Sequence, residues 1–295
     1  MALQGGPLLF VYIFICYNDY GDNMNFTEEE TVALVRYQDN DYVVINSLLR
    51  RGCSSEIEID KRKNKEYPFL TKEVMDEYLS CITCMYSAIL RTYQANGCLP
   101  PDKALYRGTQ IDIIEAMDGE ACSFLSTTTS YVQTRPFSIL HNKDGRDDSK
   151  RAVAFIEGNV PWINIDDIVG GMEEEITFVP AMVHVEPIES GVDTRLGKAY
   201  KMTLTELDIP EKSPEEINEM KTTILNQTET MSSYLRLILE DKRKPGSIDS
   251  KTVEFATLEY NKWKDLVIDY SHQQYRVLRN QIINSVEDKK NISSK

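Results

Sequence analysis

Three short segments of the chain carry side chains whose types and spacing could perform chemistry. Tyr106-Arg107-Gly108 ends a strand-like run with a cation beside a glycine, Phe124 to Ser130 (FLSTTTS) is a hydroxyl cluster, and Glu173 to Phe178 (EEEITF) is a run of carboxylates that leads into an apolar strand pattern. Taken singly, each has a simpler interpretation: a surface arginine, a turn or capping segment, and a solvated acidic face. Their combination makes the chemical interpretation worth developing.

The spacing of the glutamates indicates two separate tasks. In an extended strand alternate side chains share a face, so Glu173 and Glu175 would project together, about 7 Å apart at two strand rises. Two carboxylates at that distance can hold two different groups of a reacting pair. Arg107 could contact a phosphate or diphosphate through two N–H groups, and a hydroxyl could brace one carboxylate. Such a set suits an anionic dinucleotide beside a developing cation.

The elements that must position these residues follow from hydrophobic periodicity and capping signals. Capping boxes at Thr27–Glu30 and Ser213–Glu216 predict two helix starts. Helical patterns cover about 28–37 and, after a short polar break at Gln38-Asp39-Asn40, about 41–52. Further helical patterns cover about 72–92 and 213–286, with a turn at 242–246, and 53–70 is predicted to be a polar loop. Strands are predicted near 104–107, 123–126, 152–157, 176–185 and 199–204. Helices followed by a mainly antiparallel β region predict an α+β fold rather than alternating βαβ units. We expect an extension over 1–23, a main domain over 24–210 and a helical hairpin or bundle over 211–295.

Charge excludes one class of function. The 295 residues contain 33 Lys and Arg against 47 Asp and Glu, for a net charge of −14. Residues 211–295 hold 14 acidic and 14 basic side chains, so residues 1–210 carry the whole −14. A general nucleic-acid binder, whose affinity comes from neutralising phosphates, is therefore not expected. The N-terminal two-thirds would suit a cationic partner.

No metal is expected from the cysteine and histidine pattern. The six cysteines are scattered, Cys81-x-x-Cys84 has no second pair or nearby histidine, and the three histidines lie far apart along the chain. The apolar run Pro7–Tyr17 is shorter than the roughly 20 residues of a membrane-spanning helix. It lacks a basic n-region and a small-residue cleavage site. It is interpreted as a packing segment or as an extension before Met24.

From about residue 27 to 207 the chain resembles the arginine-specific mono-ADP-ribosyltransferases of the R-S-E class, of bacterial toxin and effector type. The similarity covers Ala33–Gly52, Ala88–Gly108, the hydroxyl motif Ser126-Thr127-Thr128 and the pair Glu173-x-Glu175, in the family's order. The commonest form of the hydroxyl motif ends in Ser rather than Thr, and Pro180 lies one residue later than the family pattern. The resemblance implies an ADP-ribosyltransferase-like split antiparallel β core over 24–210.

The resemblance also implies roles for individual residues. NAD⁺, the implied co-substrate, would place its phosphates on Arg107 and its carboxamide near the Gly108 backbone, with Phe137 against the nicotinamide. Ser126, Thr127 and Thr128 would form part of the nucleotide site, with Ser126 holding Glu175. Glu175 would bind the ribose 2′-hydroxyl and stabilise the oxocarbenium-like cation that forms as nicotinamide leaves.

The glutamate at position 173 implies that the acceptor of ADP-ribose is an arginine side chain. A guanidinium has a pKa above about 12, so removing its proton before attack at pH 7 would cost on the order of 7–8 kcal/mol. A positioned carboxylate can hold the group and take the proton as the bond forms. Family members with Glu at this position modify arginine. The preceding loop is expected to touch the target protein through Asp166, Asp167, Gly170, Gly171 and Met172, although an ordinary turn is the alternative.

The sequence therefore predicts transfer of ADP-ribose from NAD⁺ to an arginine of a host protein, without metal, nucleic-acid or membrane partners. By analogy with the family, we expect an effector secreted without a cleavable signal that acts in the host cytoplasm. Two alternatives stay open: an NAD⁺ glycohydrolase with water as acceptor, and an inactive binding module on the same scaffold.

Overall fold

The computed structural model describes residues 26–63, 67–97, 104–135, 138, 150–170, 175–188 and 197–284. The expected extension over 1–23 and the predicted site residues Phe137, Gly171, Met172 and Glu173 lie outside these ranges. Within them the predicted α+β fold is confirmed, because helices come first, an eight-stranded and mostly antiparallel sheet follows, and two long helices come last. No helix in these ranges combines the length and the apolar character that crossing a membrane would require.

The N-terminal helices are α1 (Glu28–Arg36), α2 (Tyr42–Leu48), α3 (Ser54–Lys63) and α4 (Lys72–Asn96). At the predicted capping box, Glu30 N donates to Thr27 Oγ1 at 3.2 Å and Thr27 N donates to the Glu30 carboxylate at 2.8 Å. The polar stretch after α1 is not a break but a π-helical turn, Tyr37–Asp41, that continues into α2. The prediction of a loop over 53–70 is wrong, because α3 lies there and buries Glu56 completely.

The strands are β1 (Leu105–Gln110), β2 (Gly119–Ala121), β3 (Leu125–Thr128), β4 (Arg151–Gly158), β5 (Trp162–Asn164), β6 (Glu175–Phe178), β7 (Ala181–Pro187) and β8 (Lys198–Glu206). The short helix α5 (Ile111–Glu115) follows β1, and the short helix α6 (Asp166–Val169) follows β5. The order in the sheet is β2-β7-β8-β4-β1-β3-β6-β5, and among the strands of the described ranges only β4 and β8 pair in parallel. The junction of β1 and β3 consists of one register pair, Tyr106 with Thr128. The three segments singled out in the sequence thus lie on adjacent strands.

Pro180 divides a stretch that the sequence predicts as one strand over 176–185. β6 pairs with β3 and β5, whereas β7 pairs with β2 and β8 near the opposite edge of the sheet. A proline has no N–H to donate to a ladder, so pairing ends where it occurs. The break lets the chain leave one group of strands after Phe178 and enter the other at Ala181.

The C-terminal helices α7 (Pro214–Arg243) and α8 (Ser250–Arg279) form the predicted hairpin. Ser213 caps α7 in the predicted capping box, with Glu216 N donating to its Oγ at 3.2 Å. The hairpin shares a single hydrophobic core with α4. Its polar contacts also reach the N-terminal part, since the Ser271 and Tyr86 hydroxyls lie 2.7 Å apart and Leu70 N donates to Ser232 Oγ at 2.9 Å. The division at 210 stays a prediction.

Candidate active site

The register of β3 and β6 places a carboxylate and a row of hydroxyls on one face. Thr128 is opposite Glu175, and Ser126 is opposite Thr177. Directly opposite residues share a face, and so do alternate residues along a strand, so all four side chains project from the same side. Thr177 Oγ1 donates to Glu175 Oε1 at 3.1 Å and orients the carboxylate. The Glu175 backbone N–H donates to Asp166 Oδ2 at 3.2 Å.

Arg107 reaches this pair of strands from β1. Its Nη1 donates to the Ser126 carbonyl oxygen at 2.5 Å, and its buried Nε has no hydrogen-bond partner among the described residues. Burial, followed by the positive charge of Arg50, lowers the pKa of Arg107 to about 10, while Tyr37 and Glu175 act in the opposite direction. The guanidinium remains charged at neutral pH, in a place where its charge is poorly compensated.

Arg50 is a second guanidinium near Arg107 and was not among the predicted site residues. Its side chain is exposed, its Nε lies 3.4 Å from Ser123 Oγ, and neighbouring atoms that displace part of its water lower its pKa. Within the described ranges, neither Arg50 nor Arg107 forms an ion pair with a carboxylate. Two neighbouring guanidiniums without bound carboxylates are suited to an anionic ligand such as a diphosphate.

Tyr37 joins α1 and α2 to the strands at the site. Its buried hydroxyl lies 3.4 Å from Ser126 Oγ and accepts a hydrogen bond from Asn46 Nδ2 at 3.0 Å. Burial, followed by the charge of Glu175, raises the pKa of Tyr37 to about 12, so the phenol is neutral at physiological pH. The ring packs edge-on against Phe124, with centroids 5.6 Å apart. Tyr37 lies within the Ala33–Gly52 segment covered by the family resemblance, but its contact with Ser126 is decided by the tertiary structure.

The remaining motif residues serve the backbone around the site. Thr127 Oγ1 donates to the Ile176 carbonyl at 2.8 Å, and Thr128 Oγ1 accepts from Ser130 N at 3.0 Å. Gly108 is required sterically, because a Cβ there would lie 2.0 Å from the Thr134 carbonyl oxygen. The close approach of residues 131–134 to β1 therefore explains the glycine without any ligand.

The expected target loop is only partly within the described ranges. Asp166 and Asp167 lie in the short helix α6 rather than in an open loop. Asp166 Oδ1 accepts from Gln38 Nε2 at 2.8 Å, and Asp167 Oδ2 accepts from Asn164 Nδ2 at 2.6 Å. Gly170 is exposed and has a positive φ of 77°. Asp166 thus connects the N-terminal helices to β6, while the exposed end of the segment leads toward Gly171.

Comparisons with known proteins found similar folds but no matching sequence. No protein-family model matches the chain, and no curated protein matches it. Among solved structures, ADP-ribosyltransferase Vis in complex with agmatine is similar at 15% identity and a TM-score of 0.42, over 71% of this chain and 92% of that one. Exoenzyme S from Pseudomonas aeruginosa, in complex with human 14-3-3 protein beta and bound to carba-NAD, is similar at 16% identity, a TM-score of 0.38, and 66% and 82% coverage.

A third similar structure is the ATR domain of Salmonella SpvB, at 14% identity and a TM-score of 0.37, over 61% of this chain and 100% of that one.

Proposed function

We propose that this protein transfers ADP-ribose from NAD⁺ to an arginine side chain of a target protein. The observation that carries the proposal is the convergence of Arg107, Ser126 and Glu175 on three adjacent strands. The Arg107 guanidinium donates to the Ser126 backbone, and Glu175 projects from the same face as Ser126. The charge of Glu175 also acts on the Arg107 guanidinium, so a cation that could hold phosphates lies near a carboxylate that could stabilise a sugar cation, which supports the proposal.

In the proposed reaction the two guanidiniums bind the diphosphate of NAD⁺. Arg107 and Arg50 together supply two positive charges, and hydrogen bonds between charged groups are about twice as strong as neutral ones. The Gly108 backbone and Phe137 would bind the nicotinamide end. Fixing both ends of the dinucleotide would place the ribose between them, next to Glu175.

The bond between ribose C1′ and the nicotinamide nitrogen then breaks, and its electron pair leaves with neutral nicotinamide. Positive charge accumulates on the ribose, and the Glu175 carboxylate, oriented by Thr177, stabilises it electrostatically. A nitrogen of the acceptor guanidinium attacks C1′, and Glu173 accepts the proton that this nitrogen loses. The further proposal that the enzyme is a secreted effector acting in a host cytoplasm follows from the family resemblance.

The test is an assay with labelled NAD⁺ and host-cell lysate, read both as labelled protein and as free ADP-ribose. We expect wild-type protein to label a protein band, and Glu175→Gln to reduce labelling about 10²–10³-fold, the usual effect of removing one transition-state-stabilising group. Glu157→Gln is the matched control, because Glu157 is exposed on β4 and pairs with Lys201 away from the site. It should label as wild type does.

Glu173→Gln separates transfer from hydrolysis. If Glu173 serves the acceptor, this variant loses protein labelling and retains NAD⁺ cleavage. Free ADP-ribose without any labelled protein in the wild-type reaction would identify a glycohydrolase instead. Absence of both products, with NAD⁺ binding retained, would identify a binding module. Labelling of a residue other than arginine, located by mass spectrometry, would refute the proposed acceptor.

A further inference from the structure

A second group of chemically active side chains lies between the sheet and the C-terminal hairpin. Glu120 on β2, Cys122 directly after β2 and His272 on α8 bring a carboxylate oxygen, a thiol sulfur and an imidazole nitrogen within 4.8 Å of one another. The absence of a metal was expected because the histidines are far apart along the chain and no pair of cysteines is joined by a nearby histidine. Folding brings Cys122 and His272 together from distant positions.

Two members of the group are buried and incompletely satisfied. The His272 side chain is only 9% exposed, and its Nε2 has no hydrogen-bond partner among the described residues. Cys122 is a buried free thiol whose Sγ makes a long, 3.9 Å contact to the Glu120 carbonyl. The other ring nitrogen, Nδ1, faces the Glu120 carboxylate, so it is the nitrogen that a ligand bound by this group would use.

The distances between the three donor atoms fit a small cation with tetrahedral coordination. Zinc binds sulfur at about 2.3 Å and nitrogen or oxygen at about 2.0–2.2 Å, so tetrahedral donors lie roughly 3.4–3.6 Å apart. His272 Nδ1 and Glu120 Oε1 are already 3.6 Å apart. All three donors lie within 4.8 Å of one another, so each pair would have to approach by at most about 1.4 Å to reach this spacing.

The neighbouring charges hold the carboxylate in a suitable orientation. Arg51 Nη2 binds Glu120 Oε2 at 2.9 Å, which leaves Oε1 facing His272. Carboxylate ligands of metals are commonly fixed in this way by a second hydrogen bond. Arg51 also forms an ion pair with Asp265, with Nη1 and Oδ1 3.0 Å apart. A thiolate and a carboxylate together would neutralise a divalent cation.

We propose that Glu120, Cys122 and His272 bind a divalent cation of the zinc class, with water in the fourth position. Sulfur, nitrogen and oxygen donors together favour zinc over magnesium or calcium. On binding, the Cys122 thiol loses its proton to solvent and the thiolate coordinates the metal. The bound ion would connect β2 at the edge of the sheet to α8, and so join the C-terminal hairpin to the strands.

The test uses the purified full-length chain, stripped with a chelator and titrated with Co²⁺ as a spectroscopic probe for zinc. We expect a near-ultraviolet thiolate-to-Co²⁺ charge-transfer band that Cys122→Ser abolishes. Competition of Zn²⁺ with a chromophoric chelator should show that Glu120→Gln and His272→Gln weaken binding by about 100-fold or more, since even the loss of an outer hydrogen bond costs about 10–100-fold.

Two matched controls address other thiols and histidines. Cys84→Ser changes a half-buried thiol on α4, and His184→Gln changes an exposed histidine between Asp118 and Glu186. Both should bind Co²⁺ and Zn²⁺ as wild type does. Circular dichroism and thermal melting of every variant in chelator establish that it is folded before titration.

The proposal is overturned if wild-type protein shows no charge-transfer band, or if the band persists in Cys122→Ser. Should Cys122→Ser fail to fold, Glu120→Gln decides the matter, because Glu120 is partly exposed and its change preserves side-chain volume. A folded Glu120→Gln variant with wild-type zinc affinity would likewise show that the group is not a metal site. These results are independent of whether the protein transfers ADP-ribose.

Discussion

The buried pair of Lys264 and Glu56 offers a direct test of whether the C-terminal hairpin belongs to the same folding unit as the candidate site. Both side chains are completely buried, and Lys264 Nζ lies 2.5 Å from Glu56 Oε1. Lys264 also donates to the Ser47 carbonyl on α2, and Tyr260 OH donates to Glu56 at 3.0 Å. Burial, the dominant effect, lowers the pKa of Lys264. The pair thus connects α8, α3 and α2.

The expected loss of stability on removing one partner of this ion pair follows from the geometry. At 2.5 Å and an effective dielectric constant of about 20, the attraction is about 7 kcal/mol, and desolvation of the two ions offsets much of it. Removing one partner leaves the other charge buried alone, which costs about 3–5 kcal/mol. We therefore expect Lys264→Met or Glu56→Gln to lower the free energy of unfolding by that amount, a large share of the roughly 5–15 kcal/mol available to a domain.

The double variant is expected to be less destabilised than either single variant, because it leaves no unpaired charge and the amide oxygen introduced by Glu56→Gln can still accept from Tyr260. Urea denaturation followed by circular dichroism measures all three. Lys262→Met is the matched control, since Lys262 is exposed on the same helix and pairs with Glu259, so it should change stability by less than about 0.5 kcal/mol. Single variants that lose less than about 1 kcal/mol, or a double variant that loses the sum, would refute the reasoning.

Three further outcomes follow from the site. Arg50→Ala should weaken NAD⁺ binding, measured by calorimetry, about 10–100-fold, because a hydrogen bond to a charged group contributes about 1.5–3 kcal/mol. Tyr37→Phe should reduce NAD⁺ cleavage, whereas Tyr86→Phe, which removes a buried hydroxyl paired with Ser271, should lower only the melting temperature; equal effects on cleavage would contradict the role of Tyr37. Gly108→Ala should destabilise the fold by about 1–3 kcal/mol or more, because its Cβ overlaps the Thr134 carbonyl; a wild-type melting temperature would contradict the overlap.

Capping residues and short hydrophobic patterns correctly predicted the helices and strands that such neighbouring residues specify. The capping boxes at Thr27 and Ser213 mark helix starts in the structure, and the strand predicted near 152–157 lies within β4. α3 was missed because its sequence is mostly polar, and its burial of Glu56 depends on Lys264 and Tyr260, which lie far along the chain. The division at Pro180 was missed because apolar and β-branched residues continue on both sides of it.

The sequence by itself determined the helix starts, the α+β class and the three segments that carry chemistry, because capping, periodicity and residue type act over a few neighbouring positions. The tertiary structure decided which segments meet. It placed β1, β3 and β6 side by side, set Arg50 near Arg107 and Tyr37 against Ser126, and brought Cys122 to His272. Such contacts depend on the balance of burial, charge and strand pairing over the whole chain, and no short window of residues contains that balance.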